Sequence, residues 1–267
     1  MTLEAMRSFL ADKENIFVLT GAGVSAASGI PTYRDHLGNW QRSDPIKHLD
    51  FLQKPIQRKR YWARSMVGWK HVCAAQPNSS HCGLAKLEAE NRIQTLVTQN
   101  VDGLHQLAGS SMVVDLHGRL DKVVCLDCQS TSSRADLQQR LEIVNPALVN
   151  FVATLLPDGD ADIDDYDMNS VVVPNCLQCS GTLKPDVVFF GDNVPKARVQ
   201  EAMNSLSSSD GMLVVGSSLQ VYSGFRFCKA ASENSIPIAC INQGLTRADN
   251  LISIKLVMDC NEAFQRL

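Results

Sequence analysis

The sequence predicts an α/β fold in which a doubly wound parallel sheet is interrupted by a smaller inserted module. Three observations carry that expectation. Short apolar runs recur at residues 16–20, 93–98, 113–116, 187–190, 212–215, 238–241 and 254–258, and they lack polar alternation, as strands buried on both faces do. Segments with helical spacing stand between several of them, at 56–72, 81–91, 196–206 and 223–235; strand and helix in alternation mark a parallel sheet with crossovers. The stretch from about 120 to 183 breaks the alternation and holds two C-x-x-C pairs.

Bulk properties narrow the class. A chain of 267 residues with 45% hydrophobic and 20% charged content buries about 70–75% of its unfolded surface without a staple. The net charge of −3 and pI of 6.1 supply no basic field for nucleic acid or anionic membrane. The expected partners are therefore small molecules and proteins. Nine cysteines is an odd number, and no charged stretch followed by an apolar run opens the chain, so a secreted disulfide framework is not expected. No apolar run approaches the ~18 residues of a membrane span. The opening MTLEAMRSFLADKEN reads as a first helix too acidic for a transit peptide. A cytoplasmic protein is expected, or a mitochondrial matrix one if the chain is a processed eukaryotic form.

The first apolar run ends at Thr20 and leads into Gly21-Ala22-Gly23-Val24-Ser25-Ala26. This fits G-x-G-x-x-A, whose small residues let backbone N–H groups approach a pyrophosphate. A plain strand-to-helix turn reads the same way. Pro31 then stands where a dinucleotide fold would still be in its first helix, so the loop is expected to fold over its ligand. No acidic residue ends a second strand about 20 residues on, which disfavours a hydride-transfer dehydrogenase.

Gln99, Asn100, Val101 and Asp102 follow the run at 93–98, where open α/β sheets place ligand contacts. Asp102 also suits a helix cap ahead of Gly103-Leu104. His117 follows the next run, with Gly118 leaving room beside an imidazole whose pKa suits proton abstraction. A hydrogen-bonded structural histidine is the alternative. Gly216-Ser217-Ser218 and Asn242-Gln243-Gly244 close two further runs. The recurrence of such turns favours a ligand cleft over isolated caps.

Cys125, Cys128, Cys176 and Cys179 can complete a tetrahedral zinc site closed to water. Their inner members lie well beyond compact ribbon spacing, which implies an insertion between them. Pro157 to Asp167 within it is read as a solvated acidic loop; Ile163 stands where a calcium loop needs glycine. Cys73, Cys82, Cys228, Cys240 and Cys260 are read as buried small hydrophobes.

Together these segments resemble the sirtuins, NAD-dependent protein lysine deacylases. The matching stretches are GAGVSAASGIPTYRD, TQNVD, HG, the cysteine pairs, KPDVVFFGD, VVGSSLQVYS and INQG, in family order across about residues 15–260. YWARSMVGW, CLDC, KPDVVFFGD and GSSLQVYSG look most like the class II branch, that of the mitochondrial fourth human sirtuin. The resemblance implies a Rossmann-type NAD-binding domain of residues 1–119 and 184–267. It also implies a zinc-binding module at 120–183, joined by a helical part from about 36–80.

It implies that the acyl oxygen attacks C1′ of the nicotinamide ribose. His117 then acts as base on a ribose hydroxyl, and free lysine and O-acyl-ADP-ribose result. Asn100 and Asp102 would share the catalytic turn. Gly21, Ala22, Gly23, Tyr33, Arg34, Gln99 and Val101 would contact NAD from one side. Gly216, Ser217, Ser218, Asn242, Gln243, Gly244 and Cys260 would hold it from the other. Substrate would lie as an extended strand along Val188, Phe189, Phe190, Gly191 and Tyr222. Tyr61 and Arg64 have the Y-x-x-R spacing used to bind an acyl carboxylate; a helix with a solvated Arg64 is the alternative. Thr32 and Asp192 depart from the usual Asp and Glu.

A monomer acting on acyl-lysine proteins, with NAD and one structural zinc, is the resulting expectation. Mono-ADP-ribosyl transfer and non-catalytic NAD sensing are the competing functions.

Overall fold

The computed structural model describes residues 2–35, 39–40, 45–163 and 166–267. The chain opens with α1 (Leu3–Asp12) and β1 (Ile16–Thr20). It continues through α2 (His48–Gln53), α3 (Pro55–Ala74) and α4 (Ser79–Ala89) to β2 (Ile93–Thr98), α5 (Leu104–Leu107) and β3 (Val113–Asp115). Then come β4 (Gly118–Cys125), β5 (Thr131–Ser133), α6 (Arg134–Val144), β6 (Thr154–Leu156), β7 (Asp160–Asp162) and β8 (Leu183–Val187). The remainder is α7 (Lys196–Ser207), β9 (Gly211–Val215), α8 (Tyr222–Glu233), β10 (Ile238–Ile241), β11 (Ile254–Leu256) and α9 (Cys260–Arg266).

Six strands form the main sheet in the order β11-β10-β9-β1-β2-β3, and every pairing in it is parallel. All five residues of β1 are buried because helices cover both faces. Phe17 and Leu19 pack with Ala202 and Leu206 of α7 and with Phe227 and Cys228 of α8. Ile16 and Val18 face the opposite way, onto Met6 and Phe9 of α1, Leu84 of α4 and Ala263 of α9. Strand order reverses between β1 and β9, and that reversal opens a crevice at their carboxyl ends.

A three-stranded antiparallel sheet, β5-β4-β8, builds the smaller part. Trp62, Ala63 and Met66 of α3 share its core with Val123, Leu137, Leu141 and Leu183. The strand expected at 187–190 is displaced: β8 ends at Val187 and pairs with β4, outside the parallel sheet. Residues 188–190 are apolar for another reason, since they wall a cavity. The last strand also stops at Leu256, short of residue 258.

The acidic run is corrected as well. Its first half is the turn and second strand of a hairpin in which β7 pairs with β6 just ahead of the run, with Ala161 and Ile163 buried in the module core. Its turn rests on α3 at Gly68, where a Cβ would collide with the Gly159 carbonyl. Asp164 and Asp165 lie outside the described residues, as do 36–38 and 41–44 at the start of the expected helical part. Cys73 and Cys82 are exposed, contrary to expectation, whereas Cys228, Cys240 and Cys260 are buried. Among the described residues no helix is long and apolar enough to cross a membrane.

Candidate functional site

A cavity of about 560 Å³ opens at the crevice. Gly21, Ala22 and Gly23 line it directly after β1. Two 3₁₀ turns, Ala22–Val24 and Ala26–Ser28, follow in place of a long helix. Gly29 at φ 83° ends the second, and Pro31 prevents resumption. The Asn78 side-chain amide donates to the Val24 carbonyl at 2.8 Å and to Ser28 Oγ at 2.9 Å, pinning the loop. Glycine is required by proximity: a Cβ on Gly23 would meet Gly216 Cα at 2.9 Å. Gly216 itself holds φ +62°, a left-handed conformation.

Tyr33 and Arg34 line the cavity from the next stretch. Tyr33 stacks on Trp40 at 5.4 Å, and both rings meet Phe190 edge-on at 5.8 Å. The Thr32 hydroxyl donates to the Arg34 carbonyl at 2.9 Å, so threonine braces this loop internally.

Gln99, Asn100 and Val101 reach the cavity from the end of β2. The Asn100 amide donates to the Gly21 carbonyl and to Ser25 Oγ, each at 3.1 Å. Ser25 in turn donates to Asp102 Oδ2 at 2.7 Å, while Asp102 Oδ1 accepts the Leu104 N–H at 2.9 Å. Asp102 is not a wall residue. It lies behind Asn100, and burial raises its carboxyl pKa. The N-cap of α5 is Gly103 rather than Asp102, which accepts the Leu104 N–H from one position before the cap, while Gln99, Asn100 and Val101 face the cavity.

His117 lines the same cavity. Its Nδ1 lies 2.9 Å from the Gln99 carbonyl oxygen, which can only accept, so Nδ1 carries the proton. Nε2 is left as acceptor for the Ser223 hydroxyl at 2.8 Å. Burial lowers the imidazole pKa to about 4, although the Gln99 hydrogen bond opposes the shift. The ring is therefore neutral at pH 7, with a lone pair available at Nε2.

Gly216, Ser217 and Ser218 line the wall beyond, with Asn242, Gln243, Gly244 and Cys260. Ser217 donates to Gln99 Oε1 at 2.7 Å, tying the two sides of the crevice together. Val188, Phe189, Phe190, Gly191 and Tyr222 also border the cavity. Ser25, Trp40 and Ser223 were not singled out by sequence reasoning. Ser25 lies in the glycine loop and Ser223 in the first turn of α8, but Trp40 stands in a stretch without periodicity.

Tyr61 and Arg64 do not line this cavity. Tyr61 borders a smaller one of about 70 Å³ that shares Tyr33 and residues 187–190 with the first. Arg64 is 3% exposed, and its Nε donates to Asp160 Oδ1 at 2.8 Å. The solvated Arg64 weighed above is thereby excluded.

The four cysteines of the module come together with their sulfurs within 4.8 Å of one another. The two C-x-x-C turns are equivalent: Gln129 N–H donates to the Cys125 carbonyl at 3.0 Å and Ser180 N–H to the Cys176 carbonyl at 2.9 Å. Gln129 and Ser180 both hold φ 60°. Sγ separations of 3.5 and 3.8 Å match the roughly 3.8 Å edge of a tetrahedral zinc–thiolate site. The residues fit a zinc ion, and none of the four lines the cavity.

The sequence pattern of the Sir2 family matches residues 21–223. An NAD-dependent protein deacetylase of Bordetella bronchiseptica is 51% identical over 260 residues, 97% of this chain and 95% of the relative. The NAD-dependent protein deacetylase 2 of Bradyrhizobium diazoefficiens is 50% identical, with the same 97% and 95% coverage. Among solved structures, a Sir2 complex with a p53 peptide and NAD+ superposes with TM-score 0.78 at 28% identity, over 100% of this chain and 97% of that one. A Sir2 protein bound to a propionylated peptide gives the same TM-score of 0.78, identity of 28% and coverage of 100% and 97%.

Proposed function

The chain belongs to the Sir2 family, and from that premise we propose that its cleft removes acyl groups from protein lysines at the expense of NAD. One observation carries the reading above others: a neutral, half-buried His117 in the cavity wall with Nε2 as the accepting nitrogen. NAD supplies the electrophilic ribose carbon and nicotinamide as leaving group. The glycines at 21, 23 and 216 fit it, because side chains there would fill the space between the two turns.

In this reading the backbone of Gly21, Ala22, Gly23, Gly216, Ser217 and Ser218 holds the phosphates. Asn242, Gln243, Gly244 and Cys260 hold the adenosine end. Tyr33 and Arg34 close over the ligand, Gln99 and Val101 border the nicotinamide side, and Asn100 orients the nicotinamide ribose. Asp102 acts through Ser25, keeping Asn100 in place. His117 Nε2 takes a proton from a ribose hydroxyl once Ser223 has yielded that position, and Nδ1–H stays on the Gln99 carbonyl throughout. Residues 188–191 and Tyr222 flank an extended acyl-lysine peptide. One water is consumed as the imidate is hydrolysed, and free lysine, nicotinamide and O-acyl-ADP-ribose are the products.

Zinc belongs to the scaffold. It would be held by Cys125, Cys128, Cys176 and Cys179 and would supply cross-linking of the module. Residues 1–119 and 184–267 then form the NAD-binding part and 120–183 the module, to which the helical part from about 36–80 contributes α3. Placement in the class II branch rests on the wording of residues 61–69, 125–128, 184–192 and 216–224. The absence of nucleic-acid or membrane partners fits the charge of −3, and a monomer is the proposed state.

Incubation with NAD and acyl-lysine peptides tests the reading. Nicotinamide is expected only when an acyl peptide is present; no release with any acyl chain would refute it. Labelled NAD separates the competing transferase, which would leave label on protein.

A further inference from the structure

We propose that Arg226 selects among acyl-lysine substrates by binding an acidic side chain that flanks the acyl-lysine. The proposal rests on the deacylase reading and names its substrate class. Arg226 lines the main cavity beside Val221, Tyr222 and Ser223, on the segment that borders the substrate. Among the described residues its guanidinium has no hydrogen-bond or ion-pair partner, and its Nε is buried. A buried donor without an acceptor is costly, and a carboxylate is the acceptor that best matches a guanidinium fork.

The carboxylates of the cavity wall are engaged elsewhere. Asp192 Oδ2 meets His48 Nδ1 at 3.1 Å, and Asp35 Oδ1 accepts the Asn39 N–H at 2.8 Å. Asp259 Oδ1 accepts the Glu262 N–H at 3.1 Å as the cap of α9. Arg226 also stands one turn into α8, toward the positive end of that helix, so the helix dipole does nothing to stabilise its charge. What compensates it must come from a ligand.

Stacking holds the guanidinium in position. Arg226 Cζ lies 5.2 Å from the Tyr222 ring, Tyr222 lies 6.4 Å from the Phe225 ring, and Arg247 Cζ lies 4.4 Å from Phe225 on its own account. Cation and ring thus alternate along one segment. Arg247 Nη1 donates to the Gln220 carbonyl at 3.2 Å, which fixes a second positive charge to the same stretch. Tyr222 is 52% exposed and Val221 45%, so the ladder is open to a bound peptide. A carboxylate arriving there would form charge-assisted hydrogen bonds to Arg226.

The test is kcat and KM on acetyl-lysine peptides that differ only in carrying glutamate, glutamine or lysine at each position flanking the acetyl-lysine, with thermal melts to verify folding of each variant. At one flanking position glutamate is expected to raise kcat/KM about tenfold over glutamine, chiefly through KM, and the gain is expected to shrink as salt rises. Arg226→Gln is expected to abolish the preference, and Arg226→Glu to turn it into one for lysine. Equal kcat/KM for glutamate and glutamine at every position in the wild type would overturn the proposal. So would an undiminished preference in a folded Arg226→Gln; a raised KM for NAD in that variant would then assign Arg226 to the cofactor instead. Should neither variant fold, the wild-type peptide series and its salt dependence still decide. Turnover without a preference defeats only this inference; absence of turnover on every peptide defeats the deacylase reading itself.

Discussion

His117 is set by burial and by two hydrogen bonds, with no carboxylate partner among them. It is therefore an unprotonated acceptor across the neutral range, and kcat/KM is expected to hold from pH 8 to 6 and to fall only well below the ordinary histidine value. His117→Ala should lower turnover by about 10²–10⁴-fold while the melt stays cooperative. His81 and His105, with rings 4.8 Å apart, are also held neutral by burial, near 4 and 3. Below pH 6.5 the unfolded chain takes up protons that these three imidazoles refuse. Stability present above that pH is thus lost as pH falls toward about 4 for His81 and His117 and about 3 for His105. A melting temperature unchanged between pH 6.5 and 4 would contradict this.

His117 was legible in sequence because a glycine follows it at the end of an apolar run. The role of Asp102 was not, since a helix cap and a ligand-facing carboxylate look alike in one dimension. Arg64 was equally opaque, because its partner Asp160 lies 96 residues away.

Among the elements, the paired glycine turns and the cysteine knuckles bear most directly on function. Gly216→Ala puts a Cβ against the Val24 amide and forces a left-handed alanine. A loss of at least about 1 kcal/mol in stability is expected, with weaker NAD binding by titration. Metal analysis should find about one zinc per chain, and a strong chelator or Cys176→Ser should lower the melting temperature. Protein free of metal from the outset, with an unaltered melt, would exclude the zinc reading. The elements that sequence misjudged share one cause. An apolar run reads as a strand whether it is covered by helices, as in β1, or walls a cavity, as at 188–190. An aspartate-rich run hides a hairpin when the residues that point inward, such as Ala161 and Ile163, are interleaved with aspartates.

Across the whole molecule, the fold positions chemistry by a single topological event. The sheet changes direction between β1 and β9, and the turns after β1, β2, β9 and β10 converge there. That convergence was foreseeable because each turn followed a buried run and carried glycine or amide residues. The smaller cavity was not, because it gathers Tyr33, Ile46, α3, Leu120, the hairpin and the wall at 187–190 from segments distant in the chain. If the cleft works as described, nicotinamide and free lysine must appear together. Both should be counted in one reaction on an acetyl-lysine peptide, with and without NAD. One nicotinamide per lysine freed is expected, with neither product when NAD is withheld; lysine freed at an undiminished rate without NAD would contradict it.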